Sequence, residues 1–574
     1  MRPPERLLGR ACSTRAGWVF EPAQRRGGRR RELVWRGPHA PEDGDYCVAE
    51  ATADGAARLI EVLGADDRPQ WDDQAVVSQF RLRTGFAREA LAQAEALRPP
   101  TAAERRGRLD LRAHLAFTID PEDARDHDDA LSWRPLGRGR HEVGIHIADV
   151  SHYVSPGSPL DREAELRGTS CYLPGGVVPM LPERLSSDLC SLRPDRDRLA
   201  LSVLVELDGE AEVRSCRFAE TVIRSRRKLE YAQVQRALDG AAPLEPDLQD
   251  ALESLLRLTR ALRARRRAAG ALDLEIPEAK AWVDEHGVPF RIERREHHES
   301  HELVEEFMLV ANHCVGHEGA RRGSGLLYRV HEPPAERKLA QLDGMLKALG
   351  LPRLGASRAP AEALQALLRT PLDPPHRRLL HRLALRSLAR ARYLERDIGH
   401  FGLAARQYCH FTSPIRRYPD LHNHRRVREW IHGRGSAAWD PVELAALAER
   451  LSGAEVVATE AEREAVRVKG LRYLEARLGE RASGIITGLV PPGFFVELDE
   501  APVEGFVRVS QVLDDSFVLD DLGVRLTGRR TRRRFSLGDA VRVTIARVDV
   551  PARECDLAIE GPQRRHRRRD RGRL

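Results

Sequence analysis

The segment TIDPEDARDHDDAL, residues 118–131, places six acidic residues between Asp120 and Asp129. Carboxylates repel at that density, and an unpaired charge is costly to bury. The run is therefore either a solvated acidic loop or a cation site. Hard divalent cations take clustered oxygen ligands, with Mg²⁺ using a few carboxylates plus substrate phosphate. Asp120, Asp126, Asp128 and Asp129 could supply them. The D-x-D-x-D-G spacing of a calcium loop is absent, and spacing alone leaves both readings open. A second segment, HFTSPIRRYPDL at 410–421, suits an anion. Thr412 or Ser413 can cap a helix with Pro414 at its first position. Backbone N–H groups at such a start, with Arg416 and Arg417 in the first turn, favour a phosphate. Pro419 should limit that helix to a turn or kink it.

These residues need a scaffold. LAFTI before the acidic run and ALSW after it are apolar and β-leaning, so two strands should carry it. Residues 1–65 read as short strands broken by Gly and Pro: GWVFEP, RELVWRG, DYCVAEA and ARLIEVLG. Residues 84–106 read as helix broken at a proline pair. Residues 108 to about 478 mix early strands with later helices, and HELVEEFMLVANHCV puts Leu303, Phe307, Val310 and Cys314 on one helical face. DPPHRRLLHRLALRSLARARYLE and DPVELAALAERLSGAEVVATEAEREAV read as further helices. Residues 481–560 return to strands and glycines, followed by a basic low-complexity tail. A chain of 574 residues, 41% hydrophobic, supports several cores, and its net charge of +7 suits a polyanionic partner. Eight cysteines show no C-x-x-C pair, which argues against a zinc ribbon and for a reducing compartment. No signal peptide or membrane span is expected.

Several blocks in one order resemble the catalytic domain of the ribonuclease II / ribonuclease R family of 3′→5′ exoribonucleases. They are TIDPEDARDHDDAL, the long block from HIADVSHYV to SSDLCSL, HELVEEFMLVANH, LYRVHEPP and HFTSPIRRYPDLHNHR. The resemblance runs over roughly 108–435, with a looser helical continuation to 478. It implies a multi-domain fold: a large α+β RNB catalytic domain, 108–478, flanked by small all-β OB-fold barrels. The first barrel, 1–70, would be cold-shock-like and joined by a helical linker, 71–107. The second, 479–561, would be S1-like, before a disordered basic tail, 562–574. With one N-terminal barrel and no helix-turn-helix ahead of the catalytic block, the chain departs from the full ribonuclease R pattern, and whether it opens duplex RNA is left open.

By the same resemblance the chain would be a processive hydrolase of single-stranded RNA, releasing nucleoside 5′-monophosphates with two Mg²⁺ ions, for which Mn²⁺ can substitute. A cytoplasmic monomer in bacterial RNA turnover and processing is implied. Asp120 and Asp129 would hold one ion, and Asp126 and Asp128 the second and the attacking water. Arg416, or else Arg417, would stabilise the transition state. Tyr172 would stack on a base near the 3′ end, Tyr231 would stand near the 2′-OH, and Glu305 or its neighbour Glu306 would help read the ribose. Leu274 takes the place of a base-clamping phenylalanine. Glu122, Asp123 and His127 are expected to be bystanders. His146, Asp149 and His152, in a strand block, are expected to be structural, and Cys171 and Cys409 lack a base partner. A catalytically inactive RNA-binding regulator, or a structural ribosome-associated factor, would leave the acidic run and SPIRRY without a role.

Overall fold

A computed structural model describes residues 6–23, 29–35, 40–65, 68–274, 278–355, 359–433, 439–512 and 515–559. The basic tail expected at 562–574 lies outside them. The chain begins with a closed five-stranded barrel: β1 (Arg6–Thr14), β2 (Gly17–Pro22), β3 (Arg31–Val34), β4 (Tyr46–Ala51) and β5 (Ala57–Gly64). The last four coincide with the strands expected from the sequence, and β1 is an addition to them. Its Gly9 is a packing requirement, since a Cβ there would stand 2.3 Å from the Glu21 carbonyl oxygen and 2.6 Å from the Phe20 ring. The linker helices follow at Asp72–Gln79, Arg88–Ala96 and Ala102–Arg106, the last started by a Thr101–Glu104 capping box.

The catalytic-block strands are β6 (Leu109–Asp110), β7 (Ala116–Asp120), β8 (Asp129–Gly137), β9 (Arg140–Ala148), β10 (Cys171–Leu173), β11 (Gly176–Val178), β12 (Asp197–Leu207) and β13 (Val213–Glu230). Six of them form a sheet in the order β12-β9-β8-β7-β13-β6, and a further β12–β13 pairing closes it on itself. Period-two alternation turns Phe117, Ile119, Leu131, Ile145, Ile147 and Val203 into one core. The helices Pro246–Ala268 and Glu299–Arg322 cover it, and the expected apolar face of the second is met by buried Leu303, Phe307 and Val310. Arginines of the first helix meet glutamates of the second along that contact: Arg260 with Glu299 at 2.7 Å, Arg263 with Glu302, and Arg266 with Glu306.

Two antiparallel strand pairs come next: the hairpin β14 (Ala279–Val283) with β15 (Pro289–Arg294), and β16 (Tyr328–Val330) with the distant β17 (Arg392–Leu394). The helix expected through ARYLE ends at Ser387, because Arg392–Leu394 finds a strand partner in Tyr328–Val330. The strand block HIADVSHYV also ends early, at Ala148. Asp149 there caps a helical turn by accepting from the His152 N–H at 3.1 Å. The 35-residue helix Pro441–Glu475, capped by Asp440, crosses the whole region. The C-terminal barrel closes as β18 (Arg481–Val490), β19 (Gly493–Leu498), β20 (Glu504–Arg508), β25 (Glu554–Ile559) and β24 (Ala540–Asp549). A small sheet of β21 (Phe517–Leu519), β22 (Arg525–Gly528) and β23 (Arg534–Ser536) is inserted in it. No helix among the described residues is long and apolar enough to cross a membrane, and all eight cysteines are unpaired.

Candidate active site

The acidic run forms the loop between β7 and β8. Asp120 closes β7, Asp129 opens β8, and the residues between bulge into a cavity of about 2840 Å³. The loop is pinned from two sides. Ser191 Oγ accepts from the His127 N–H at 3.1 Å and donates to the Arg125 carbonyl at 2.8 Å. Lys228 Nζ donates to the carbonyls of Glu122 at 2.8 Å and Ala124 at 3.2 Å. Glu122 and Asp123 are exposed and line the cavity. Register places the next group: β13 runs parallel to β7 with Glu230 opposite Asp120, so Tyr231 emerges beside the aspartates.

Each aspartate has its own surroundings. Asp128 is 4% exposed; its Oδ1 accepts from the Ile415 N–H at 2.9 Å, and Oδ2 faces Arg416 Nε at 3.5 Å. Burial pushes its carboxyl well above the usual range, opposed by Arg416. Burial, with Asp120 adding repulsion, pushes Asp129 up to about 7. Asp126 Oδ2 accepts from the Tyr172 hydroxyl at 2.8 Å. His127 Nδ1 stands 2.9 Å from Asp120 Oδ2, so the residue expected to be a bystander contacts a site carboxylate. Among the described residues, no three His, Cys, Asp or Glu side chains already converge in the manner of a metal centre. Three of the four carboxylates are turned toward other protein groups.

The SPIRRY segment departs from expectation. Pro414–Arg416 is a turn, and the helix starts later, at Tyr418 and runs to Ile431. Pro419 sits in its first turn, where a missing N–H costs nothing, so it begins the helix and does not break it. The two arginines diverge. Arg416 lines the cavity, with Nη2 donating to Ser413 Oγ at 2.9 Å. Arg417 turns away to donate to buried Asp420 at 2.7 Å.

Tyr172 lines the cavity on the β10–β11 hairpin. Its N–H donates to Glu462 of the long helix at 2.7 Å, and the hairpin's Gly175 N–H donates to Asp73 of the linker at 2.7 Å. The Arg416 carbonyl accepts from the Ser170 N–H at 2.9 Å, which ties this hairpin to the SPIRRY turn. Tyr231 also lines the cavity and stacks on His301, centroids 4.1 Å apart and planes at 7°. Burial and neighbouring positive charge push His301 down to about 4, so the ring is neutral.

Two predicted residues lie elsewhere. Glu305 is one turn beyond His301, but its carboxylate faces His297 Nε2 at 3.5 Å and is not in the cavity wall. Glu306 is buried and held by Arg266 at 2.5 Å. Leu274 packs against the large apolar cluster rather than lining the cavity. His301, Glu462 and Asp73 were not anticipated. The histidine run HHESH was a signal for the first; the other two offered none. His146 is buried and hydrogen-bonded between Ser132 Oγ at 2.9 Å and Ser202 Oγ at 2.7 Å, and Asp149 pairs with Arg108 at 2.6 Å. Both are structural.

The far wall of the cavity is built by the C-terminal barrel, including Phe495, Phe506 and Arg508. Comparison with known proteins agrees with this architecture. The RNB domain model matches residues 108–433, and the S1 RNA binding domain model matches 475–560. Ribonuclease R of Aquifex aeolicus is 39% identical over 499 residues, 86% of this chain and 70% of that protein. Ribonuclease R of Thermotoga maritima is 38% identical, over 88% of this chain and 72% of that protein. Among solved structures, Mycoplasma genitalium RNase R in complex with ribose-methylated single-stranded RNA superposes with a TM-score of 0.88 at 25% identity. The match covers 97% of this chain and 90% of that one. The chain belongs to the ribonuclease R family of RNB-domain proteins.

Proposed function

We propose that the chain is a 3′→5′ exoribonuclease that hydrolyses single-stranded RNA to nucleoside 5′-monophosphates, using divalent cations held by Asp120, Asp126, Asp128 and Asp129. The observation that carries this reading is the placement of Asp128. It is a buried carboxylate between the Ile415 N–H and Arg416, in a cavity that continues to an S1-type barrel. The donor set is oxygen only, which suits Mg²⁺ or Mn²⁺. Asp128 Oδ2 is buried without a hydrogen bond, an acceptor that a cation would satisfy. When bound, the cations supply charge neutralisation at the phosphate and lower the pKa of the attacking water.

The chain's own groups do the rest. Arg416 is held by Ser413 yet its side chain is 42% exposed and lines the cavity, placed to bind a phosphate whose charge grows in the transition state. Arg417, committed to Asp420, is a positioning residue for the turn. Tyr172 offers its ring to a base, and stacking without edge recognition tolerates any sequence. Tyr231, backed by His301, stands on the aspartate side of the cavity, where a ribose 2′-OH would distinguish RNA from DNA. The net charge of +7 and eight unpaired cysteines fit an RNA-binding protein of the cytosol.

The test is digestion of poly(A), labelled at either end, with Mg²⁺ or EDTA. Mg²⁺-dependent release of labelled mononucleotide from the 3′ end at once, and from the 5′ end only late, is expected. Asp128→Asn should lower the single-turnover rate about 10³-fold, near 4 kcal/mol, and leave binding in EDTA intact. Cleavage in EDTA, or an Asp128→Asn variant at wild-type rate, would refute the assignment.

A further inference from the structure

The hairpin β14–β15 has two unlike faces. Ala281 and Ile292 lie opposite each other and are buried in the large apolar cluster. The other face pairs Lys280 with Glu293 and Trp282 with Arg291, and all four residues line the cavity. The Trp282 indole N–H donates to Glu293 Oε1 at 2.7 Å, which fixes the ring. Lys280 Nζ lies 3.7 Å from the ring centroid. Trp282 belongs to none of the buried apolar clusters among the described residues, so core packing does not explain a tryptophan here. The same cavity is lined by the barrel rings Phe495 and Phe506, centroids 5.0 Å apart.

From this geometry we propose that the Lys280–Trp282–Arg291 face of the hairpin is a sequence-independent stacking site for single-stranded RNA, holding a nucleotide upstream of the one being cleaved. The proposal rests on the reading of the cavity as the path of the RNA. An indole fixed through its N–H presents a π-face to any base, and Lys280 and Arg291, the latter ion-paired with Glu293, flank it with charge for the phosphates on either side. Lys280 need not be lost from the ring at a cost. A strand arriving with a base for the indole and an oxyanion for the ammonium replaces one cation–π contact with two interactions, the second charge-assisted. Together with the barrel phenylalanines, this face adds aromatic surface to the cavity lining. A strand could then hold its place while its 3′ end advances.

The experiment is equilibrium binding of a labelled single-stranded RNA of about 20 nucleotides to the full chain in EDTA, by fluorescence anisotropy over a salt series. Trp282→Ala should weaken binding about tenfold, and Trp282→Phe should recover to within about threefold of wild type. Lys280→Met should make the slope of log K against log salt shallower by about 0.7. Unchanged affinity in Trp282→Ala, or a loss that phenylalanine does not restore, overturns the stacking site. Where circular dichroism shows Trp282→Ala unfolded, the Lys280→Met slope decides: an unchanged slope overturns the proposal. A wild-type chain that fails to bind the RNA at all overturns both this site and the functional reading. Wild-type binding with unaffected variants overturns the hairpin alone.

Discussion

Arg416 and Arg417 are adjacent in sequence and opposite in surroundings. The first keeps a partly exposed charge in the cavity beside Asp128; the second is spent on Asp420, which is fully buried. Their variants should therefore fail differently. Arg416→Ala should lower single-turnover cleavage by about 10²-fold or more, the usual loss for one transition-state donor, with little change in melting temperature. Arg417→Ala leaves Asp420 charged and unpaired, a loss of about 3–5 kcal/mol in stability, read as a drop in melting temperature. If Arg417→Ala keeps its stability and loses only rate, the roles are reversed. The sequence alone could not separate the two, because Asp420 three residues on and Ser413 three residues back make the choice. The acidic run was legible because its chemistry is contiguous. Glu462 was not: its contact with Tyr172 spans 290 residues, and nothing local marks a glutamate on a long helix as a hairpin support.

The elements that aim these side chains are fixed by a few buried polar contacts. The linker helix Asp72–Gln79 begins with two acids that face different ways. Asp73 accepts from the hairpin that carries Tyr172, while Asp72 accepts from Lys469 at 3.0 Å and Arg472 at 3.1 Å on the long helix. Lys469 is 1% exposed, and its ammonium also donates to the carbonyls of Pro69 and Gly287. Linker, long helix and the β14–β15 turn thus meet at one buried ammonium. Asp72→Ala removes the carboxylate shared by buried Lys469 and Arg472, at a cost of about 3–5 kcal/mol. It should lower the melting temperature and, by loosening the linker that holds Gly175, raise KM for RNA. A variant that melts like wild type would show that the carbonyls alone satisfy Lys469. Periodicity revealed the long helix and the strands flanking the acidic run, but not the helix Asp72–Gln79, β13 or the β14–β15 pair. It failed at β1, where Gly9 and Arg10 mask the strand pattern, and at β17, where a strand partner 62 residues earlier overrides a helix-like composition.

At the scale of the molecule, the two barrels are attached in different ways. The C-terminal barrel shares its core with its neighbours: Phe494, Val496, Val503 and Val507 lie in one cluster with Ala458, Ala465 and Leu471 of the long helix and Leu364, Leu379 and Leu383 of the adjacent helices. Gly470 admits the barrel so closely that a Cβ there would stand 2.7 Å from Val503. The N-terminal barrel keeps its own small cores, Ala11, Phe20, Leu33 and Cys47 in one, and Leu8, Tyr46, Val48 and Leu63 in the other, where Ala75 of the linker joins. Independent cores unfold independently, and a shared core unfolds as one unit. Calorimetry of the full chain should therefore show the catalytic region and C-terminal barrel melting together, with the N-terminal barrel separable. Removing residues 1–67 should leave the main transition within a few degrees and weaken binding mainly to long RNA. Removing residues 481–574 exposes the shared cluster and takes away the far wall of the cavity. It should lower the main transition by ten degrees or more and lower cleavage with it. A barrel-less chain that kept both its melting temperature and its single-turnover rate on short RNA would show that the barrel binds RNA without helping to build the site.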